Sequence, residues 1–154
     1  MRGLGLSAST PDGRPQVVGV VVERTNGHLE CQEVFRFNSD AQQDLALQLA
    51  SLGSALDSKL PTIHADAVVI RTLDHSPRQR RESELAIRYA AEGVLMAISR
   101  RQVDSTIRLR GKEIGDRCGS DKESAEAQAA SLCGDKNKVA GAAAIAALLI
   151  AETA

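Results

Sequence analysis

The apolar positions of the chain change their period along its length, and each change marks an element. "GLGLSAS" is short and apolar, and the "TPDGRP" that follows carries a Pro-Asp-Gly turn signal. "QVVGVVVER" is β-branched almost throughout, "TNG" supplies an Asn-Gly turn, and "HLECQEVFRF" sets Leu29, Cys31, Phe35 and Phe37 on one face at period two. Three consecutive antiparallel strands are therefore expected. From Asp40 the period lengthens: Leu45, Leu49, Leu52, Leu56 and Leu60 fall on one helix face, with Ser39 or Asp40 as the cap and an end near Lys59.

"ADAVVIRT" packs the apolar run Ala67 to Ile70 into a stretch too short for a helix, bounded by His64 and Asp74, which is the pattern of a central strand buried on both faces. "RQRRESELAIRYAAEGVLMAISRR" predicts a long second helix with Leu85, Tyr89, Val94 and Ala97 pointing inward and basic residues at each end. "STIRLR" reads as a fifth strand with Ile107 and Leu109 alternating. "GKEIGDRCGSDKESAEAQAASLCG" divides into a turn of helix, a break at Gly119-Ser120 and a further helix that Gly134 ends. The Ala-rich "DKNKVAGAAAIAALLIAE", Asp135 to Glu152, is the closing helix.

Composition narrows this picture. At 154 residues the chain suits one domain, residues 1–154, with one core. Nineteen basic against 20 acidic residues give a formal charge of -1, so attraction to nucleic acid must come from a local patch. The longest apolar run, Val139 to Ala151 with Gly141 included, has 13 residues, short of the roughly 20 that span a bilayer, so no membrane partner is expected. The N-terminus lacks the apolar region and cleavage site of a signal peptide. Cys31, Cys118 and Cys133 are odd in number and form no CxxC pair, which argues against a disulfide framework and a structural zinc, and for a reducing cytoplasm.

Three antiparallel strands, then helix, strand, helix, strand and helices, with a Pro-Asp-Gly turn after the first strand and a closing Ala-rich helix, resemble the ribonuclease H-like fold: α/β, with a five-stranded mixed sheet. Within it the spacing is most similar to the RuvC-type Holliday-junction resolvases. That family's first strand has a "GID" type ending in an acid, matched here by Gly5-Leu6-Ser7. Its fourth strand ends in "IE", matched by Ile70-Arg71. Its last helix carries "DAADALAIA", matched by "KVAGAAAIA" from Lys138 to Ala146.

The resemblance implies two-metal nuclease chemistry, in which carboxylates hold divalent ions about 3.5 to 4 Å apart. The matched positions here are Ser7, Arg71, Lys138 and Gly141, none of them acidic. A cationic pair, Arg71 and Lys138, is thus expected where the metals would lie, repelling Mg²⁺ and attracting phosphate. No metal and no cofactor is expected.

Other constellations add little chemistry. Arg78, Arg80 and Arg81 follow strand four, in the region that approaches DNA in the resembling family, and with Arg71 and Lys138 they make the expected phosphate-binding set. With two Phe, one Tyr and no Trp, base stacking is not an expected means of binding. Asp74-His75 has no nucleophile motif to serve and reads as a surface loop pair; nothing in their spacing brings Asp12, Asp74, Asp121 and Glu123 together. There is no P-loop and no Gly-x-Ser-x-Gly elbow.

The sequence therefore points to a degenerate RuvC-like protein that binds nucleic acid or a protein partner. The alternatives are an active metal-dependent nuclease with displaced acids, or an assembly subunit. A homodimer is expected from the second helix, apolar at Leu85, Tyr89 and Val94 on one side and at Ile87, Ala91, Leu95 and Ile98 on another.

Overall fold

The computed structural model describes residues 1–74 and 81–154. A five-stranded sheet in the order β3-β2-β1-β4-β5 carries helices on both faces. β1 (Arg2–Ser9), β2 (Gln16–Thr25) and β3 (His28–Asn38) are antiparallel neighbours, and β4 (Ala67–Thr72) and β5 (Thr106–Arg110) add in parallel to β1. The turn signals act as expected. Pro11–Gly13 forms a 3-10 turn with Asp12 and Gly13 at positive φ, and Asn26 and Gly27, at φ 51° and 83°, close the β2–β3 hairpin.

One face of the sheet carries α1 (Leu45–Ile63) and α2 (Glu82–Gln102). The other carries α3 (Gly111–Arg117), α4 (Lys122–Cys133) and α5 (Lys138–Thr153). Alternation along β1 divides the strand between them: Leu4, Leu6 and Ala8 join the cluster with Leu52, Leu56 and Leu95, while Gly3 and Gly5 face α5. Every residue of β4 is buried, which satisfies the reading of a central strand.

The Ala-rich composition of α5 follows from how close it lies. A Cβ on Gly5 would meet the Ala140 carbonyl and the Ala144 amide, and one on Gly3 would meet the backbone of Ala144 and Leu148. On its other side a Cβ at Gly141 would stand 3.0 Å from the Cβ of Ala129 in α4. The helix is packed between sheet and α4, so small residues are needed where it touches β1 and α4.

Three local expectations are corrected. Leu29 and Cys31 pack against the α5 side, whereas Phe35 and Phe37 pack against the α1 side. The cause is a register shift at Val21/Val22, opposite Glu33 and Cys31, where one extra residue in β3 inverts the alternation. Helix α1 is capped by Asp44, whose side chain accepts from the Leu47 N–H at 2.9 Å, and it runs past Lys59 to a left-handed His64. It contains Pro61, and the Asp57 carbonyl that Pro61 cannot serve accepts instead from Gln102 Nε2 at 3.2 Å.

Helix α2 departs most from its pattern. Its buried residues are Arg88, Ala91, Glu92, Leu95 and Ser99, while Tyr89 and Ala97 are exposed and Leu85 and Val94 half-buried. Arg88 donates to Glu92 at 3.2 Å, and Arg108 of β5 stands 3.6 Å from the same carboxylate. The helix therefore buries a charge network where apolar residues were expected, and turns part of its apolar set outward. Among the described residues no helix is long and apolar enough to cross a membrane.

Candidate functional site

The chain leaves β1 toward β2 on one side and β4 toward β5 on the other, so the topological switch point lies between β1 and β4. In open α/β sheets the crevice outside the strand carboxyl ends at such a point is where ligands bind. Ser7 pairs with Arg71 there. The same row continues through Val18 to Arg36 on one flank and to Leu109 on the other. Ser7 is two residues beyond Gly5, so it shares the α5-facing side of β1 and is half-buried there.

Arg71 is buried, with a side chain 7% exposed. Its guanidinium donates to the Thr72 carbonyl and to Asp74 Oδ2 at 3.1 Å, and lies 3.9 Å from Glu126 Oε1 of α4. Lys122 Nζ approaches Asp74 Oδ2 to 2.8 Å and the Lys112 N–H donates to Asp74 Oδ1 at 3.4 Å. Gly111 makes this arrangement possible, since a Cβ there would fall 2.5 Å from Arg71 Nη2 and 2.9 Å from Asp74 Oδ2. Asp74 is thus the centre of an ion-pair network, and the expectation of a plain surface loop residue is corrected; His75 lies outside the described residues.

Partial burial by itself would raise the pKa of Asp74. The hydrogen bond from Lys122, the charges of Arg71 and Lys122 and the N–H of Lys112 outweigh it and bring the pKa down to about 2. A depressed folded pKa stabilises the fold above the ordinary carboxylate value of about 3.9, and that contribution is lost as pH falls from there through about 2. The difference in urea midpoint between wild type and Asp74→Asn should be constant above about pH 5 and shrink to a small remainder at about pH 2. A difference unchanged down to pH 2 would remove Asp74 from the network.

The other sequence-derived positions separate. Lys138, in the first turn of α5, stands 3.9 Å from Asp135 with its side chain 43% exposed. Gly141 faces Ala129 and Cys133 of α4. Arg81 is the exposed residue before α2, and Arg78 and Arg80 lie outside the described residues. Arg71 and Lys138 therefore each have an acidic partner of their own, in place of an open cationic pair.

Sequence reading missed four contributors. Lys122 and Glu126 come from α4, and Lys112 from the start of α3, to surround Asp74 and Arg71. Arg36 donates to Asn137 Oδ1 at 2.9 Å, and Asn137 Nδ2 donates to the Cys133 carbonyl at 2.9 Å, so the start of α5 is tied to β3 and α4. Arg36 alone carries a sequence signal, as a cation between Phe35 and Phe37 on a predicted strand.

A hard divalent ion needs several oxygen ligands, preferably charged. The crevice offers the Ser7 hydroxyl, the buried Arg71 guanidinium and two carboxylates, Asp74 and Glu126, that already face that guanidinium at 3.1 and 3.9 Å, a set that does not fit Mg²⁺. Among the described residues no group of three or more His, Cys, Asp or Glu is placed to hold a metal ion. Asp74, Asp121 and Glu123, whose spacing gave no reason for them to converge, do line one cleft of about 570 Å³, but Lys112 and Lys122 stand among them. Asp12 sits in the β1–β2 turn.

The fold has solved counterparts. The chain is similar to Thermus thermophilus RuvC, with a TM-score of 0.75 and 11% identity over 99% of this chain and 96% of that one. It is also similar to T. thermophilus RuvC in complex with Holliday junction substrate, with a TM-score of 0.73 and 12% identity over the same shares. The yeast mitochondrial Holliday junction resolvase Ydc2 gives a TM-score of 0.59 at 11% identity, covering 96% of this chain and 78% of that one. The chain has the ribonuclease H-like fold in its RuvC-like form. No family model and no curated protein matches it.

Proposed function

We propose that the chain is a catalytically degenerate ribonuclease H-like protein that acts by binding nucleic acid through phosphate contacts. The observation that carries this reading is the pair Ser7 and Arg71 at the switch point, with Arg71 locked into ion pairs with Asp74 and Glu126. In this reading, which takes the match of strand ends from the sequence, a guanidinium occupies the position where a two-metal nuclease needs a carboxylate. The resolvase likeness of the fold, including a relative solved on a Holliday junction, supports nucleic acid as the partner.

Because its charge is offset internally, Arg71 serves as a brace. In this reading the phosphate contacts belong to Lys138 and Arg81, with Arg78 and Arg80 added from the sequence. The first turns of α5 and α2 both start at the carboxyl edge of the sheet, since α2 follows β4 and α5 runs from beside Gly5 toward Gly3. Binding should be weak, independent of base sequence and steep in salt, with log affinity falling about 0.9 per duplex phosphate neutralised and a total slope near two to four. Arg81→Ala should lower the slope by up to about one without moving the melting temperature, because an exposed arginine contributes little to stability. Adding Arg78→Ala and Arg80→Ala should lower it by up to about three in all. An unchanged slope in the triple variant would take these arginines out of the interface.

Self-association is proposed on a smaller surface than the sequence suggested. Ala91 and Leu95 are buried within the fold, and the apolar groove that stays open lies between α1 and α2, beside Leu49, Val94 and Ile98. Light scattering at micromolar concentration tests this, and a strictly monomeric mass contradicts it.

A further inference from the structure

We propose that the cleft between α2 and the end of β5 holds one unpaired nucleotide, with its base on the Tyr89 ring and its phosphate between Arg108 and Arg110. This rests on the nucleic-acid reading above and narrows it to a strand that presents an unstacked base. The cleft has a volume of about 360 Å³ and is bounded by Thr72, Tyr89, Arg108, Arg110 and Glu113 among others, at the low end of the roughly 300 to 1,000 Å³ of small-ligand sites. It opens at the carboxyl ends of β4 and β5, on the edge where phosphate contacts are proposed.

Tyr89 is 45% exposed. A ring left open beside two arginines offers a π-face that any base can cover, with the phosphate taken by guanidinium forks. The scarcity of aromatic residues excludes a stacking platform along a strand, but one base needs one ring. Arg108 and Arg110 are two apart on β5 and so lie on the same side of the strand.

Both arginines are held from behind. Glu92, fully buried, stands 3.6 Å from Arg108 Nη1, and Glu113 accepts from Arg110 Nε at 2.6 Å. Glu92 Oε1 has no hydrogen-bond partner among the described residues, so charge alone fixes Arg108 and its N–H groups remain for a ligand.

Charge also decides between neighbouring clefts. Among the described residues, two arginines against one glutamate line this one. The cleft beyond Arg110 sets Asp74, Asp116, Asp121 and Glu123 against three cations and repels a phosphate.

The chain has one tyrosine and no tryptophan, so its tyrosine emission reports on Tyr89 alone. The wild type is titrated in EDTA at low salt with an oligothymidylate and with a blunt duplex of equal length, following anisotropy of the labelled DNA and Tyr89 emission together. The oligothymidylate should quench the emission saturably, at the same midpoint as its anisotropy, and the duplex should bind with little quenching. Tyr89→Ala should weaken oligothymidylate binding roughly 5- to 100-fold, leave duplex binding unchanged, and be rescued by Tyr89→Phe.

Oligothymidylate binding without quenching, or of equal strength in Tyr89→Ala, overturns this proposal while duplex binding keeps the broader reading intact. Quenching without duplex binding supports the cleft and counts against the duplex interface. Binding of neither DNA overturns both.

Discussion

Gly5→Ala should lower stability by about 3 kcal/mol or more, toward and beyond the upper end of ordinary overpacking, and the melting temperature by on the order of 10 °C for a domain of this size. The reason is what the new methyl would meet. It would collide with the carbonyl oxygen of Ala140 and the amide of Ala144, which are backbone atoms of α5 and cannot rotate away. Relief requires lifting α5 from β1, which opens the cluster of Val20, Val69, Leu109 and Leu148. Gly93→Ala is the control: nothing lies within 4 Å of its Cβ position in the middle of α2, so it should stabilise by about 0.8 to 1 kcal/mol from helix propensity. Thermal melts followed by circular dichroism compare the two. Equal melting temperatures for Gly5→Ala and wild type would contradict the close approach of α5 to the sheet.

Arg71→Ala is expected to have the second large effect, a loss of about 2 to 4 kcal/mol. Removing one partner of a buried ion pair costs about 3 to 5 kcal/mol because the other charge stays behind. The figure is discounted here since Asp74 is about a third exposed and retains Lys122. Glu126, largely buried, loses the guanidinium 3.9 Å away, and the Thr72 carbonyl loses its donor. Arg71→Lys should recover only part of the loss, because an ammonium cannot reach Thr72, Asp74 and Glu126 with a planar fork. A urea midpoint unchanged in Arg71→Ala would show that the network does not brace the site.

The layout of the fold was legible because its periods are clean. Val17 to Val22, the leucines of α1 and the apolar run of β4 each match one element without ambiguity. The faces were harder to read where one residue breaks the count. The extra residue in β3 near Cys31 has no sequence mark, and it moves Leu29 and Cys31 across the sheet from Phe35 and Phe37. Helix α2 misled for a different reason: Arg88 and Glu92 look like surface residues, but they pair with each other inside the protein, with Arg108 approaching Glu92 from the exposed side.

Within the site, the neighbouring of Ser7 and Arg71 was legible through the match of the two strand ends to the resembling family's motifs. The further partners were not, because Glu126, which faces Arg71, and Lys112 and Lys122, which face Asp74, belong to helices whose placement depends on the β5–α3 turn at Gly111. Gly141 was read as a substituted acid, but in the structure it is a packing residue against Ala129.

Titration of labelled branched and duplex DNA, with Mg²⁺ and again in EDTA, with each sample then resolved on a denaturing gel, tests the degenerate-binder account most directly. It predicts binding in both conditions at matched ionic strength, a salt slope near two to four, and intact strands throughout. Strand cleavage that requires Mg²⁺ and survives Arg71→Ala would contradict it.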